Sequence, residues 1–149
     1  MYKTILVPLD GSPRAEKILP YVEELARCMD SMLIVMQVME TQMTFSGMEM
    51  NQQEAAFEAY KHELQTAEAY VAKMQEDFHN KGLHCQARVE HGPVVQSIIR
   101  VSRQAHVDLI AMASHGRSGL ARVFYGSVAA GVLHLADRPL LLIRSDEEA

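Results

Sequence analysis

Val107-Asp-Leu-Ile-Ala-Met-Ala-Ser-His-Gly116, followed after nine residues by Gly126-Ser127, decides the fold. Val107–Met112 is an apolar run and reads as a buried strand. Ala113-Ser-His-Gly116 reads as a glycine-punctuated loop, and Gly126-Ser127 as the opening of a helix. Strand, loop and helix in that order are how a parallel α/β sheet holds phosphate. The loop amides can turn inward, and the helix start adds N–H groups without intrahelical partners and a positive dipole end. A nucleotide is therefore the first ligand to consider.

Working outward, the same alternation runs through the chain. Ile5-Leu-Val-Pro-Leu9 reads as a first strand. Ser12-Pro13 then opens a helix, with Ser12 as N-cap and Pro13 at the first helical position. Ile18, Leu19, Val22, Leu25, Ala26 and Met29 recur at helical spacing, and Met32–Val38 reads as a second strand. Residues 40–50 show no period and read as a loop. Phe57, Tyr60, Leu64, Ala67, Val71, Met74 and Phe78 step by threes and fours through a long helix, Gln52–Asn80, an amphipathic helix on a sheet rather than a coiled coil. Gly82 is its C′ residue. His84–Glu90 alternates like a half-exposed edge strand. Gly92-Pro93 starts a third helix with Val94, Val95, Ile98 and Ile99 inward. A fourth, Ser127–Ala136, turns Val128, Val132, Leu133 and Ala136 to one face. Leu140-Leu-Leu-Ile143 is the fifth strand, and residues 145–149 a frayed acidic tail.

Strict alternation of apolar strands and helices implies a parallel sheet covered on both faces. Right-handed crossovers make it open and doubly wound, a five-stranded, three-layer α/β/α, Rossmann-like fold. The chain has 149 residues, 48% of them hydrophobic, and no visible repeat or linker, so it reads as one domain, 1–149, with a core that needs no disulfide. The net charge of −5 disfavours generic binding to nucleic acid or an anionic membrane surface. Apolar runs are too short to span a bilayer, and no signal peptide opens the chain. Cys28 and Cys85 fit no metal spacing and read as reduced thiols of a cytoplasmic protein.

Ligands of such sheets bind beyond the carboxyl ends of the strands, where the winding reverses. Strand one ends in Pro8-Leu9-Asp10-Gly11-Ser12 and strand four in Met112-Ala113-Ser114-His115-Gly116. If these strands are neighbours, the two loops face one another. Asp10 then offers a carboxylate to ribose hydroxyls or, less directly, to a metal. Gly116 and Gly126-Ser127 surround phosphates, Arg117 and Arg122 add positive charge, and the Val38 backbone meets an adenine edge. Asp10-Gly11-Ser12 also reads as a plain turn and helix cap.

With these residues in place, the chain resembles the universal stress protein family over nearly its full length. Lys3–Ser12, Val107–Leu120, Tyr125-Gly-Ser-Val128 and Arg138–Arg144 carry the resemblance. It implies an adenine nucleotide alpha hydrolase-like fold and a bound ATP, ADP or AMP, with Mg²⁺ or Mn²⁺ left open. The nucleotide-binding branch has the signature Gly-x2-Gly-x9-Gly-Ser/Thr, which here is Ala113-x2-Gly116-x9-Gly126-Ser127. Ala113 replaces the first glycine, at a cost if that position needs a positive φ or a close approach by the ligand. The resemblance places Pro8, Asp10 and Val38 in the adenosine pocket and Met112, Ser127 and Val128 at its walls and phosphate end. It also implies a homodimer through Leu140–Ile143, antiparallel across a two-fold axis, and a protein partner that the sequence does not identify.

Three functions follow as expectations. The first is a nucleotide-responsive regulatory module in the stress response. The second is a dimeric interaction module of the same fold without nucleotide. The third, an ATP-hydrolysing enzyme, is disfavoured: there is no GxxxxGK[ST], and the loop after strand one is poor in glycine. His115 is the best candidate for activating water, although a capping role explains it more simply, and slow hydrolysis is the most to be expected.

Overall fold

The computed structural model describes residues 1–40, 46–116 and 126–146. Its elements alternate as β1 (Thr4–Leu9), α1 (Leu19–Met29), β2 (Met32–Met39), α2 (Met50–Asn80), β3 (His84–His91), α3 (Val94–Gln104), β4 (Leu109–Gly116), α4 (Ser127–Leu135) and β5 (Leu140–Asp146). The strands form one parallel sheet in the order β3-β2-β1-β4-β5. The chain winds from β1 out to β3, then crosses back to β4 on the other side of β1. The reversal therefore falls between β1 and β4.

Period-two alternation divides the core into two layers. Ile5, Val7, Leu33 and Val35 point to one face, against Ile18, Val22 and Ala26 of the first helical segment and Val71 and Phe78 of α2. Leu6, Ile34, Met36 and Ile110 point to the other, against Ile98 and Val101 of α3 and Ala129 and Val132 of α4. Burial of each large aliphatic side chain contributes about 1.5–3 kcal/mol relative to exposure, so loss of the alternation in any central strand would unmake both layers.

Several boundaries differ from the sequence reading. Ser12 does act as a cap, its hydroxyl accepting the Ala15 N–H at 3.2 Å, but the turn it caps is a 3₁₀ segment, Ala15–Ile18, and the α-helix begins only at Leu19. α2 starts at Met50 because Glu49 and Gln52 form a reciprocal capping box. Its other end is a Schellman turn: Leu83 N–H reaches Phe78 O (3.0 Å), Gly82 N–H reaches His79 O (2.9 Å), and Gly82 has φ +79°. α2 is about 46 Å long at 1.5 Å per residue. The sheet covers only its later half, which leaves Phe57 47% exposed rather than buried in the expected seam. In α4 Val132 is buried as expected, Ala129 is buried with it, and Leu133, expected inward, is exposed.

The largest correction concerns residues 113–116. They are not a loop but the end of β4, paired through Ala113↔Ile143, Ser114↔Arg144, His115↔Ser145 and Gly116↔Asp146. β5 is correspondingly longer than Leu140–Ile143 and takes in Ser145 and Asp146, which were read as tail. Residues 147–149 lie outside the described residues.

Backbone direction follows from two hydrogen bonds. Met32 N–H reaches Lys3 O (2.8 Å), and Gly92 N–H reaches Met39 O (3.0 Å). Even-numbered β2 residues therefore face β1, and odd-numbered ones face β3. By the same alternation Cys85 turns its carbonyl to the outer edge of β3, where Gln75 Nε2 and His79 Nε2 of α2 both lie 3.0 Å from it. A carbonyl has two lone pairs, and α2 occupies both. The β3 edge is thus blunted there by a helix, one of the ways proteins protect an edge strand.

Candidate functional site

A cavity of about 450 Å³ opens beyond the carboxyl ends of β1, β2 and β4, at the reversal point. Its size suits a small-molecule ligand. β1 contributes Pro8, Leu9 and, just past its end, Asp10. β2 contributes Val38, and β4 contributes Met112 and Ala113. The start of α4 supplies Gly126 and Val128. All of these were expected at the site from the sequence. Ser127 is the exposed first residue of α4, between Gly126 and Val128, and is not itself in the wall. His115 and Gly116 are the last two residues of β4. Arg117 and Arg122 lie outside the described residues.

Each wall has a local cause. Asp10 Oδ1 accepts both the amide N–H of Ser12, at 2.9 Å, and the Ser12 hydroxyl. Gly11 allows the tight turn with φ +84°. The same residues thus form the turn and helix cap, and Asp10 also lines the cavity. Val38 faces β1, whose pairing with β2 ends one step earlier at Leu9↔Gln37. Its carbonyl therefore points to where the sheet has stopped and the cavity begins.

Two helices start at the cavity without a side-chain cap. α4 begins after Gly126 (φ −46°, ψ 155°) and α3 after Pro93, with Val94 in the wall. First-turn amides have no intrahelical acceptor and carry the positive end of the helix dipole, which makes both starts favourable places for negative charge. Ala113 is not among the residues with positive φ and sits in a regular ladder. Its backbone therefore demands no glycine, and only its methyl, in the cavity wall, distinguishes it from one.

Six lining residues were missed: Ala15, Glu40, Glu63, Val94, Ile98 and Ala129. Val94, Ile98 and Ala129 carry only packing signals in the sequence. Glu63 reaches the cavity from the middle of α2, a placement set by tertiary packing. Glu40 alone had a local signal, since it directly follows the strand that holds Val38.

Neither cysteine is bonded: Cys28 is exposed and Cys85 buried. Burial pushes the Cys85 thiol up to about 11, against a partly offsetting hydrogen bond from the Val35 backbone. Among the described residues no helix is long and apolar enough to cross a membrane. No cluster of three or more His, Cys, Asp or Glu side chains that could hold a metal ion occurs among them either.

Known proteins share this fold. Universal stress protein MJ0531 of Methanocaldococcus jannaschii is 28% identical over 99% of this chain and 85% of its own length. The solved structure of MJ0577 from the same organism superposes with a TM-score of 0.82 at 24% identity, covering 99% of each chain. A universal stress protein from Archaeoglobus fulgidus, solved in complex with dAMP, superposes with a TM-score of 0.62 at 17% identity over 95% of this chain and 98% of that one. The sequence profile of the universal stress protein family matches residues 1–144, and the chain belongs to that family.

Proposed function

We propose that this protein is an adenine-nucleotide-binding module of the cytoplasm, a single domain whose occupancy by ATP, ADP or AMP regulates a protein partner in the stress response. The observation that carries the reading is the start of α4. An uncapped helix N-terminus at Gly126 lines the same cavity as Asp10 and the unroofed Val38 carbonyl. Phosphates go to the amides of Gly126, Ser127 and Val128, with Gly116, His115 and Arg117 nearby in sequence. The ribose hydroxyls go to Asp10. The adenine edge meets Val38, and Pro8, Leu9, Met112 and Ala113 form the apolar walls. The dAMP complex of the Archaeoglobus fulgidus relative supports an adenine nucleotide as the ligand class.

These residues fit a nucleotide better than a metal centre. With no three-ligand cluster among the described residues, a divalent Mg²⁺ or Mn²⁺ would enter on the phosphates, as Mg²⁺ commonly does. We assign no catalytic residue. Two copies pair through β5, the edge strand opposite the blunted β3, to give an antiparallel two-fold dimer.

Calorimetric titration of the nucleotide-stripped protein with Mg-ATP, beside an Ala113→Gly variant, tests the reading. Saturable binding by the wild type with a Kd on the order of micromolar supports it. Binding by the glycine variant alone supports the second reading, a dimeric interaction module whose cavity is closed by the Ala113 methyl.

A further inference from the structure

Past the point where α2 blunts it, the β3 edge carries a charge of its own. Odd-numbered β3 residues turn N–H and C=O away from β2, and α2 occupies that edge at Cys85 O. Among the described residues nothing bonds the outward N–H and C=O groups of Ala87 and Val89. Even-numbered β3 side chains share a face with Ile34 and Met36 of β2, the face that α3 covers. There Glu90 Oε1 accepts from Arg88 Nε (3.0 Å), with Arg88 Nη2 2.7 Å away, and Glu90 Oε2 accepts from Arg100 Nη2 of α3 (3.2 Å). Two guanidiniums thus share one carboxylate, and the group is net positive. Neither guanidinium has another acceptor among the described residues.

An unpaired sheet edge is a template for another strand. A strand laid beside Ala87–His91 alternates as β3 does. Its side chains on one face extend the apolar layer against which Ala87 and Val89 pack, and those on the other stand beside Arg88 and Glu90. A guanidinium has more N–H donors than Glu90 engages, so a carboxylate arriving there meets donors and positive charge already held in place. The net charge of −5 on the whole chain does not decide the matter, because charges beyond about 8 Å are largely screened at physiological salt. We propose that the β3 edge from Ala87 to His91 takes an extended acidic segment of a partner protein as a further strand, its main chain on Ala87 and Val89 and a carboxylate on the Arg88–Arg100 pair. None of these residues lines the cavity, so the proposal stands apart from nucleotide binding.

Blocked peptides test this by ¹H–¹⁵N NMR on the full chain: acetyl-Thr-Val-Glu-Val-Glu-Val-Thr-amide, and its counterparts with Gln or Lys at both Glu positions. The Glu peptide should bind saturably below millimolar concentration, shift the Ala87 and Val89 amides and slow their exchange with solvent. It should bind about tenfold or more tighter than the Gln peptide, the range for a hydrogen bond to a charged group, and the Lys peptide should bind weakest. Arg100→Gln, on the exposed side of α3, should narrow the Glu-to-Gln ratio at least about threefold while the Gln peptide binds as before. No binding of the Glu peptide at millimolar concentration overturns the proposal, and so do shifts that spare Ala87 and Val89. A Lys peptide that binds as tightly as the Glu peptide, or a ratio that Arg100→Gln leaves unchanged, overturns it as well. So does protection of the Ala87 and Val89 amides that rises with protein concentration in the absence of peptide, since a second copy then holds the edge.

Discussion

Ala113 lies opposite Ile143 in the ladder between β4 and β5, and the same residue lines the cavity. It thus stands in for a glycine of the family signature without backbone strain. Ala113→Gly should lower stability by about 0.5–1 kcal/mol, the entropic cost of glycine inside a strand. Removing one methyl from the cavity wall should alter nucleotide affinity by roughly fourfold at most. Urea unfolding and calorimetry on one preparation check both. Complete dependence of binding on the glycine would contradict the backbone argument.

Asp108 ties the start of β1 to the entry of β4. Its Oδ2 accepts the backbone N–H groups of Lys3 and Thr4, both at 2.9 Å, and Thr4 O accepts the Asp108 N–H, also at 2.9 Å. Asp108→Ala should cost about 1–3 kcal/mol, because two donors lose a charged acceptor. Asp108→Asn keeps an acceptor oxygen and should cost less. Equal losses for the two variants, measured by urea unfolding, would show that the contact to backbone N–H is not what matters.

Gly131 of α4 packs tightly against Val95 of α3. A methyl added there would sit 2.7 Å from Val95 Cγ2 and 3.2 Å from Val95 Cγ1. Gly131→Ala should therefore destabilise by about 1–3 kcal/mol through overpacking, against a helix-propensity gain of about 1 kcal/mol. Val95→Ala in the same chain should restore most of the loss. A stabilised single variant would mean that the two helices part at little cost.

The two cysteines make an internal probe of folding. The folded Cys85 thiol titrates at about 11 because it is buried, whereas in the unfolded chain it ionises near 8.5. The folded state thus holds its proton to higher pH. The associated stability is fully present below about pH 8.5 and is lost as pH rises toward 11, on the order of 3 kcal/mol in all. Tyr70 acts in the same direction, its phenol raised first by burial and then by the charges of Glu16 and Asp10. Unfolding midpoints should fall above pH 9. At pH 8 a thiol reagent should label exposed Cys28 at once and Cys85 only on unfolding. Prompt labelling of both would place Cys85 outside the core.

The sheet was legible in the sequence because β1, β2, β4 and β5 contain apolar runs, β3 alternates as an edge strand does, and the helices keep their period. What escaped was set by distant partners. Ser114, His115 and Gly116 read as loop residues by type, yet β5 continues beside them, and Ser114 is buried with its hydroxyl 3.3 Å from Ile143 O. Strand length there follows from pairing, which local propensity does not encode. At the site, Asp10, Val38, Met112 and Gly126 could be placed because they end or begin elements. Glu63 could not, because its place in the cavity depends on where α2 crosses the sheet. Arg138 enters the sequence reading only as the start of the Arg138–Arg144 stretch. Its guanidinium instead donates to Ser102 O (2.6 Å) and Val107 O (2.9 Å), tying off the segment between α3 and β4.

The most direct test of the central claim is a ¹H–¹⁵N NMR titration with Mg-ATP. The account predicts saturable shifts concentrated at Val38, Glu40, Ala113 and the amides of Gly126 to Ala129, with one Kd common to all of them. Shifts that spare these amides, or none at millimolar nucleotide, would contradict it.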